Sequence, residues 1–190
     1  MKLDRVMNLF SADFKYSANF GAFGGRAELV VWDNDNTNSG PRRPIMKTLF
    51  TPTSLYQLKA ILKKAIATED LKPVELGFYP YDKETKTNVF RSAITVGRDQ
   101  EKCIYMDLTG ENHKEPVRFL LITDKSIRIN GSELPNKHAT EISTHTLIDL
   151  IDHVLQLGSF FTSNRGGNDM ATSAPSELAA KENMGDDVPF

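Results

Sequence analysis

The order in which two residue periodicities alternate constrains the fold of this chain more than any other feature. Short β-rich or alternating runs fall at residues 14–20, 27–33, 45–50, 74–79, 89–96, 103–108, 117–122 and 126–129. Helical spacing occurs only twice. Thr51-Pro52-Thr53-Ser54 opens a first helix that carries Leu55, Leu58, Ile61, Leu62 and Ile66 on one face. A second is expected to start at Ser143 or Thr144, bury Leu147, Leu150, Ile151, Val154 and Leu155, and stop at Gly158. Gly24-Gly25, Asp33-Asn34-Asp35-Asn36, Thr109-Gly110 and Asn130-Gly131 supply the turns. Strands grouped ahead of each helix predict an α+β fold of antiparallel sheets, each followed by a helix.

The two groups echo each other. Residues 14–21 parallel 90–97, residues 29–33 parallel 103–107, Pro44-Ile45 parallels Pro116-Val117, and Leu55-x-x-Leu58 parallels Leu147-x-x-Leu150. The matches fit either a pseudo-repeat or a chance echo of β-rich composition. Two such halves would present a broad curved surface.

Composition excludes several classes. The apolar runs are no longer than the four residues 119–122, against the about 20 a membrane-spanning helix needs. The first residues carry charge and no secretory apolar segment, and Cys103 stands alone, so no disulfide framework or cysteine zinc site is expected. The expectation is a soluble cytoplasmic protein. The net charge is −2, but residues 162–190 alone hold −3, which leaves a body of +1. From residue 162 the sequence turns small, polar and aperiodic. Residues 1–161 are therefore expected as the folded core and 162–190 as a disordered linker and acidic tail.

The chain finishes on Gly185-Asp186-Asp187-Val188-Pro189-Phe190. The ending resembles the C-terminal peptide of bacterial and bacteriophage single-stranded DNA-binding proteins: acids, an aliphatic residue, Pro, then a terminal Phe. A chance match has odds on the order of 10⁻⁶ from average residue usage. The resemblance covers the tip and its linker, not the body. It implies that Asp186, Asp187, Val188, Pro189 and Phe190 recruit replication or repair enzymes. The chemistry suits that role: a pocket can bury the Phe190 ring and pair its carboxylate with a base, while the two acids favour encounter with a basic surface. The linker, about 24 residues, gives a reach of roughly 25–30 Å.

Two sheet-then-helix halves also resemble the Whirly and positive-cofactor-four type of single-stranded DNA-binding architecture. An elaborated OB fold is the alternative, although eight strand segments and two helices exceed its five strands and one helix.

Binding a single strand calls for bases along the phosphates and aromatic faces for stacking. The first half offers Lys15, Tyr16, Arg26, Trp32, Arg42, Arg43 and Lys47; the second offers Tyr79, Tyr81, Arg91, Arg98, Lys102, Tyr105 and Arg118. Phe14, Tyr16, Ala18 and Phe20 alternate as a core-facing set, so Lys15 is the contact expected there rather than Phe14. Tyr79 and Tyr81, beside Pro80 and a charged turn that holds Lys83 and Lys86, read as the exposed aromatics. Arg128 also punctuates a strand.

No Walker loop, dinucleotide fingerprint or nucleophile elbow is present, and the four histidines lack metal-ligand spacing. Asp33, Asp35 and Asp107 could suggest a nuclease cluster, but Asp33-Asn34-Asp35-Asn36 reads equally as a turn. No enzyme, metal or cofactor is expected. The sequence predicts a protein that coats single-stranded DNA in replication, recombination or repair, phage-encoded and free to oligomerise. The alternative is an adaptor or inhibitor that docks host repair proteins through the tail and never touches DNA.

Overall fold

A computed structural model describes residues 3–23, 26–35, 44–122, 126 and 128–172; of residues 3–6, 22, 23, 26 and 158–172 it describes the backbone. Strands β1 (Leu3–Phe10), β2 (Tyr16–Phe23), β3 (Arg26–Asp33) and β4 (Pro44–Phe50) precede helix α1 (Pro52–Ala67). There follow β5 (Val74–Phe78), β6 (Tyr81–Asp82), β7 (Thr87–Asn88), β8 (Ser92–Arg98), β9 (Ile104–Gly110), β10 (His113–Leu120), β11 (Arg128–Ile129), β12 (Ser132–Glu133) and helix α2 (Asn136–Thr172).

The first four strands pair in sequence order as one antiparallel sheet. The second sheet runs β10-β9-β8-β5, so β5 takes the place of β1 and the small ribbon β6-β7 is an insertion between β5 and β8. The fold is α+β, two antiparallel four-stranded sheets each followed by a helix, and not a five-stranded barrel. An isolated bridge from Ser11 to Phe119 joins the β1 and β10 sides of the two sheets.

The echo between the halves holds for element order and, in residues 14–21 and 90–97, for facing, where Ala18 and Phe20 stand inward like Ile94 and Val96; it fails in the next strand. Aligning residues 29–33 with 103–107 sets Val31 against Tyr105. Val31 is buried in the core, whereas Tyr105 shares the outward face of β9 with Asp107, and Ile104, Met106 and Leu108 point inward. An odd offset sends every side chain to the other face.

The inward faces meet over one core. Met7, Leu9, Ala18, Phe20, Leu29, Val31, Met46 and Phe50 from the first sheet face Ile94, Val96, Ile104, Met106, Leu108, Val117 and Phe119 from the second. Phe50 meets Phe78 edge-on at 5.5 Å, and the buried hydroxyls of Thr48 and Ser92 hydrogen-bond across the sheets at 2.7 Å. Leu55, Leu58, Leu62 and Ala65 of α1 and Leu147, Ile148, Ile151, Val154 and Leu155 of α2 complete it.

Thr51 caps α1, with Oγ1 accepting from the Ser54 amide while Ser54 Oγ accepts from the Thr51 amide. Asn130 and Gly131, at φ of 53° and 78°, form the two-residue turn of the β11-β12 hairpin, a geometry that Asn-Gly supplies readily.

Three sequence expectations are corrected. Helix α2 begins at Asn136, ahead of Ser143, and passes Gly158 to reach Thr172, so residues 162–172 are helical. Strand β1 lay outside the expected runs. Phe14 leaves the core-facing set: it precedes β2 at φ 58° and is 64% exposed. Its turn is held by the Phe14 amide donating to the Ser11 carbonyl and by Asn34 Nδ2 donating to the Phe14 carbonyl. No helix among the described residues is long and apolar enough to cross a membrane.

Candidate nucleic-acid interface

The outward face of the second sheet is set by strand register. Gly77 lies beside Ala93 and Thr109; Glu75 beside Thr95, Asp107 and Arg118; Gly97 beside Tyr105 and Leu120. Glycines in β5 and β8 leave gaps, and two tyrosines lie in them. The Tyr79 ring covers Gly77, where a Cβ would stand 2.7 Å from Cε2. The phenol end of Tyr105 fills the space above Gly97, where a Cβ would stand 2.6 Å from Oη.

Arg118 lies over Tyr105, its Cζ 3.8 Å from the ring centroid. Asp107, the cross-strand neighbour of Arg118, fixes that position by accepting from Nε at 2.8 Å and from Nη2 at 2.7 Å. The Asp107 hydrogen bonds hold the guanidinium pKa above its ordinary value against a smaller opposing effect of desolvation. Tyr105 is thereby buried to 5% exposure while the Arg118 side chain remains 53% exposed. An open groove of about 570 Å³ adjoins this stack, lined by Arg98, Asp99, Gln100, Glu101, Tyr105 and Arg118.

At the other end of the face the chain leaves the sheet as the β6-β7 ribbon. Tyr79 and Tyr81 are 55% and 62% exposed, and Tyr79 packs edge-on against Phe90 at 5.5 Å. The ribbon's turn presents Lys83 and Lys86, both exposed, and among the described residues neither is engaged in an ion pair. Glu84 N–H donates to Asp82 Oδ1 at 2.9 Å, which closes the turn locally.

The remaining candidates are dispersed. Lys47 pairs with Glu28 at 2.7 Å on the outward face of the first sheet; Arg91 pairs with Glu111, and Lys102 with Asp70. Exposed pairs of this kind are worth about 0–1 kcal/mol, so a phosphate can replace the acid at little cost. Lys15 lies 5.3 Å from the Tyr16 ring centroid, and the adjoining Tyr16 raises its ammonium pKa. Tyr16 itself is half-buried against the core and meets His113 at 5.7 Å. Trp32 is half-buried on the outward face of β3, where it is paired with Ser17.

Arg98 is placed differently from the expectation. Its side chain is 1% exposed and spends its donors on Ala65, Ile66, Lys102 and Glu141, which makes it a structural strut. Arg42, Arg43 and the tip Asp186, Asp187, Val188, Pro189 and Phe190 lie outside the described residues, and of Arg26 only the backbone is described. The structure thus brings Tyr79, Tyr81, Tyr105 and Arg118 to one sheet and its ribbon. Asp107 and the glycines beneath the tyrosines were missed as part of the site. The alternation of Tyr105 and Asp107 opposite a β10 arginine was the available signal.

No protein-family model matches the chain, and no curated protein matches its sequence. Among solved structures it is similar to that of the plant transcriptional regulator PBF-2, with 10% identity over 85% of each chain and a TM-score of 0.36. The architecture described above stands on this chain's own strand pairing.

Proposed function

We propose that the chain binds single-stranded DNA without sequence preference, along the outward face of the second sheet and the β6-β7 ribbon. The observation that carries the reading is the ribbon itself: two tyrosines more than half exposed, beside two lysines with no described acidic partner. Aromatic faces stack on any base and ammonium groups follow the phosphates. Tyr79 and Tyr105 cover Gly77, opposite Ala93, and Gly97, four residues further along β8. At a strand rise of about 3.3 Å the Tyr79 ring and the Arg118-covered Tyr105 stand roughly 13 Å apart, the span of about four stacked nucleotides.

The same reading gives the C-terminal tip the role its sequence resemblance implies, recruitment of replication or repair enzymes to the coated strand, in a phage or its bacterial host. The chain is then a binding protein and not an enzyme.

Anisotropy titrations of labelled single-stranded and duplex oligonucleotides with the full-length chain, at low and moderate salt, test it. Tight, salt-sensitive single-strand binding that weakens on Tyr81→Ala and on Lys83→Gln/Lys86→Gln is expected. Absence of binding at micromolar protein overturns the reading. It would favour an adaptor that docks partners through residues 185–190, which the pairing of Lys47, Arg91, Lys102 and Arg118 with acids also favours.

A further inference from the structure

Arg118 was expected, like the other bases, to meet phosphate, but its surroundings specify another task. Both Asp107 oxygens are spent on it, and that carboxylate is well covered, at 15% side-chain exposure. The pair is therefore close to neutral as seen by an approaching polyanion. A phosphate reaching the Nε–Nη2 edge would have to displace two charge-assisted hydrogen bonds in fixed geometry, and one approaching the three N–H donors left on Nη1 and Nη2 meets a pair already neutralised. Beside those three donors the guanidinium presents a plane. One side lies on the Tyr105 ring at 3.8 Å, and the side chain as a whole is half exposed. Arginine planes and aromatic rings are the surfaces on which unpaired bases stack.

The layers beneath are locked as well. Gly97 leaves room for the phenol end of Tyr105, and the ring cannot sink further because the β8 backbone lies under it. The adjoining groove, with Gln100 and Glu101 on its wall, has about 570 Å³, space enough for a nucleobase beside the plane.

We propose that Tyr105, Arg118 and Asp107 form a nucleobase platform, in which Asp107 positions Arg118 and the exposed guanidinium face stacks on one unpaired base. This rests on the single-strand reading above and adds a specific mode of contact: the contribution is independent of salt and requires a base. Tyr79 and Tyr81 on the ribbon contact the strand separately.

The test compares full-length wild type with Arg118→Lys, Arg118→Ala and Asp107→Asn on a mixed-sequence oligonucleotide over a range of KCl, and on a strand of the same length with abasic nucleotides. Lysine keeps the charge and loses the plane. Arg118→Lys and Arg118→Ala are both expected to weaken binding about tenfold; the lysine variant, which keeps the charge beside Asp107, does so at every salt concentration with the slope of log K against log salt unchanged. Both should also narrow the wild-type preference for base-bearing over abasic strands. Asp107→Asn frees the guanidinium and should steepen the slope while weakening binding at high salt. Arg118→Lys binding like wild type, with its preference for base-bearing strands intact, identifies a charge contact to phosphate and overturns the platform. That result leaves the single-strand reading standing. Wild type that binds neither strand overturns both. Thermal melts of each variant, with Tyr81→Ala as a second variant off the platform, separate loss of folding from loss of contact.

Discussion

The guanidinium of Arg98 reaches from the end of β8 to the last turn of α1, where its Nε–H donates to the Ala65 carbonyl at 2.8 Å. Nη2 donates to Ile66 at 3.2 Å and to the Glu141 carboxylate of α2 at 2.9 Å. Carbonyls at a helix end lack intrahelical partners and carry partial negative charge, so a buried cation satisfies both needs. One side chain thus ties the second sheet to both helices.

Replacing Arg98 by Ala should destabilise the protein by about 2–4 kcal/mol, since it strands the carbonyls and the partly buried Glu141. Lysine should recover less than half, having no fork to serve several acceptors. Urea denaturation checks both. Folded Arg98→Gln, which loses the charge, should retain the wild-type salt slope on single-stranded DNA; a slope lower by about 0.7 would return Arg98 to the phosphate contacts.

Gly97→Ala and Gly77→Ala separate a packed tyrosine from a loose one. A Cβ at 97 stands 2.6 Å from the Oη of Tyr105, which is pinned beneath Arg118, so overpacking should cost about 1–3 kcal/mol and displace the stack. At 77 the obstacle is Tyr79, 55% exposed and able to swing outward, and the cost should stay within about 0.5 kcal/mol. Equal losses in thermal or urea denaturation would contradict the assignment of Tyr105 as the fixed ring.

Thr48 and Ser92 share the buried hydrogen bond between the sheets, at 2% and 0% exposure. Thr48→Val or Ser92→Ala alone leaves a buried hydroxyl unsatisfied and should cost about 1–3 kcal/mol. The double variant removes both polar groups and should lose less than the sum. A double-mutant cycle with additive losses would mean that each hydroxyl is satisfied elsewhere.

Acid should weaken the fold through three exposed carboxyls. Hydrogen bonds hold their pKa values below the ordinary 3.8 for Asp and 4.5 for Glu: Lys137 to Glu69, Lys102 to Asp70, and the Ser11 hydroxyl to Asp13. The folded chain therefore binds fewer protons than the unfolded one. The stabilisation is full above the ordinary carboxyl values and disappears as pH falls through the lowered ones. Salt screens it. Lys102→Ala should return the Asp70 titration, followed by NMR, to its ordinary value and flatten the acid limb of the urea midpoint. An Asp70 titration already ordinary in the wild type would refute the pairing.

The elements whose signals are local were legible in the sequence. Thr51-Pro52-Thr53-Ser54 carries its own cap, and Asn130-Gly131 its own turn. Strand β1 was hidden because Asp4 and Arg5 interrupt its alternation, and its pairing with β2 is irregular between Leu3 and Met7. The early start of α2 depends on partners far away in sequence: Thr140 Oγ1 accepts from the Ile104 amide at 3.0 Å, and Glu141 holds Arg98. Gly158 signals a stop, yet within a helix glycine costs only about 1 kcal/mol relative to alanine. In the site, residue types were readable but partners were not. Asp107 meets Arg118 only once the register of β9 and β10 is known, and the same register lays the guanidinium flat over Tyr105.

The struts across the core bear on how the polypeptide can be divided. The repeat of sheet then helix invites a cut between α1 and β5 into two independent modules. Yet α1 ends on an arginine supplied by β8, Phe50 rests on Phe78, and Ser11 bridges to Phe119. Each fragment would leave its core open to water. Produced apart, the two pieces should stay unfolded; mixed, they should assemble by complementation into the intact protein, each acting as the template on which the other closes.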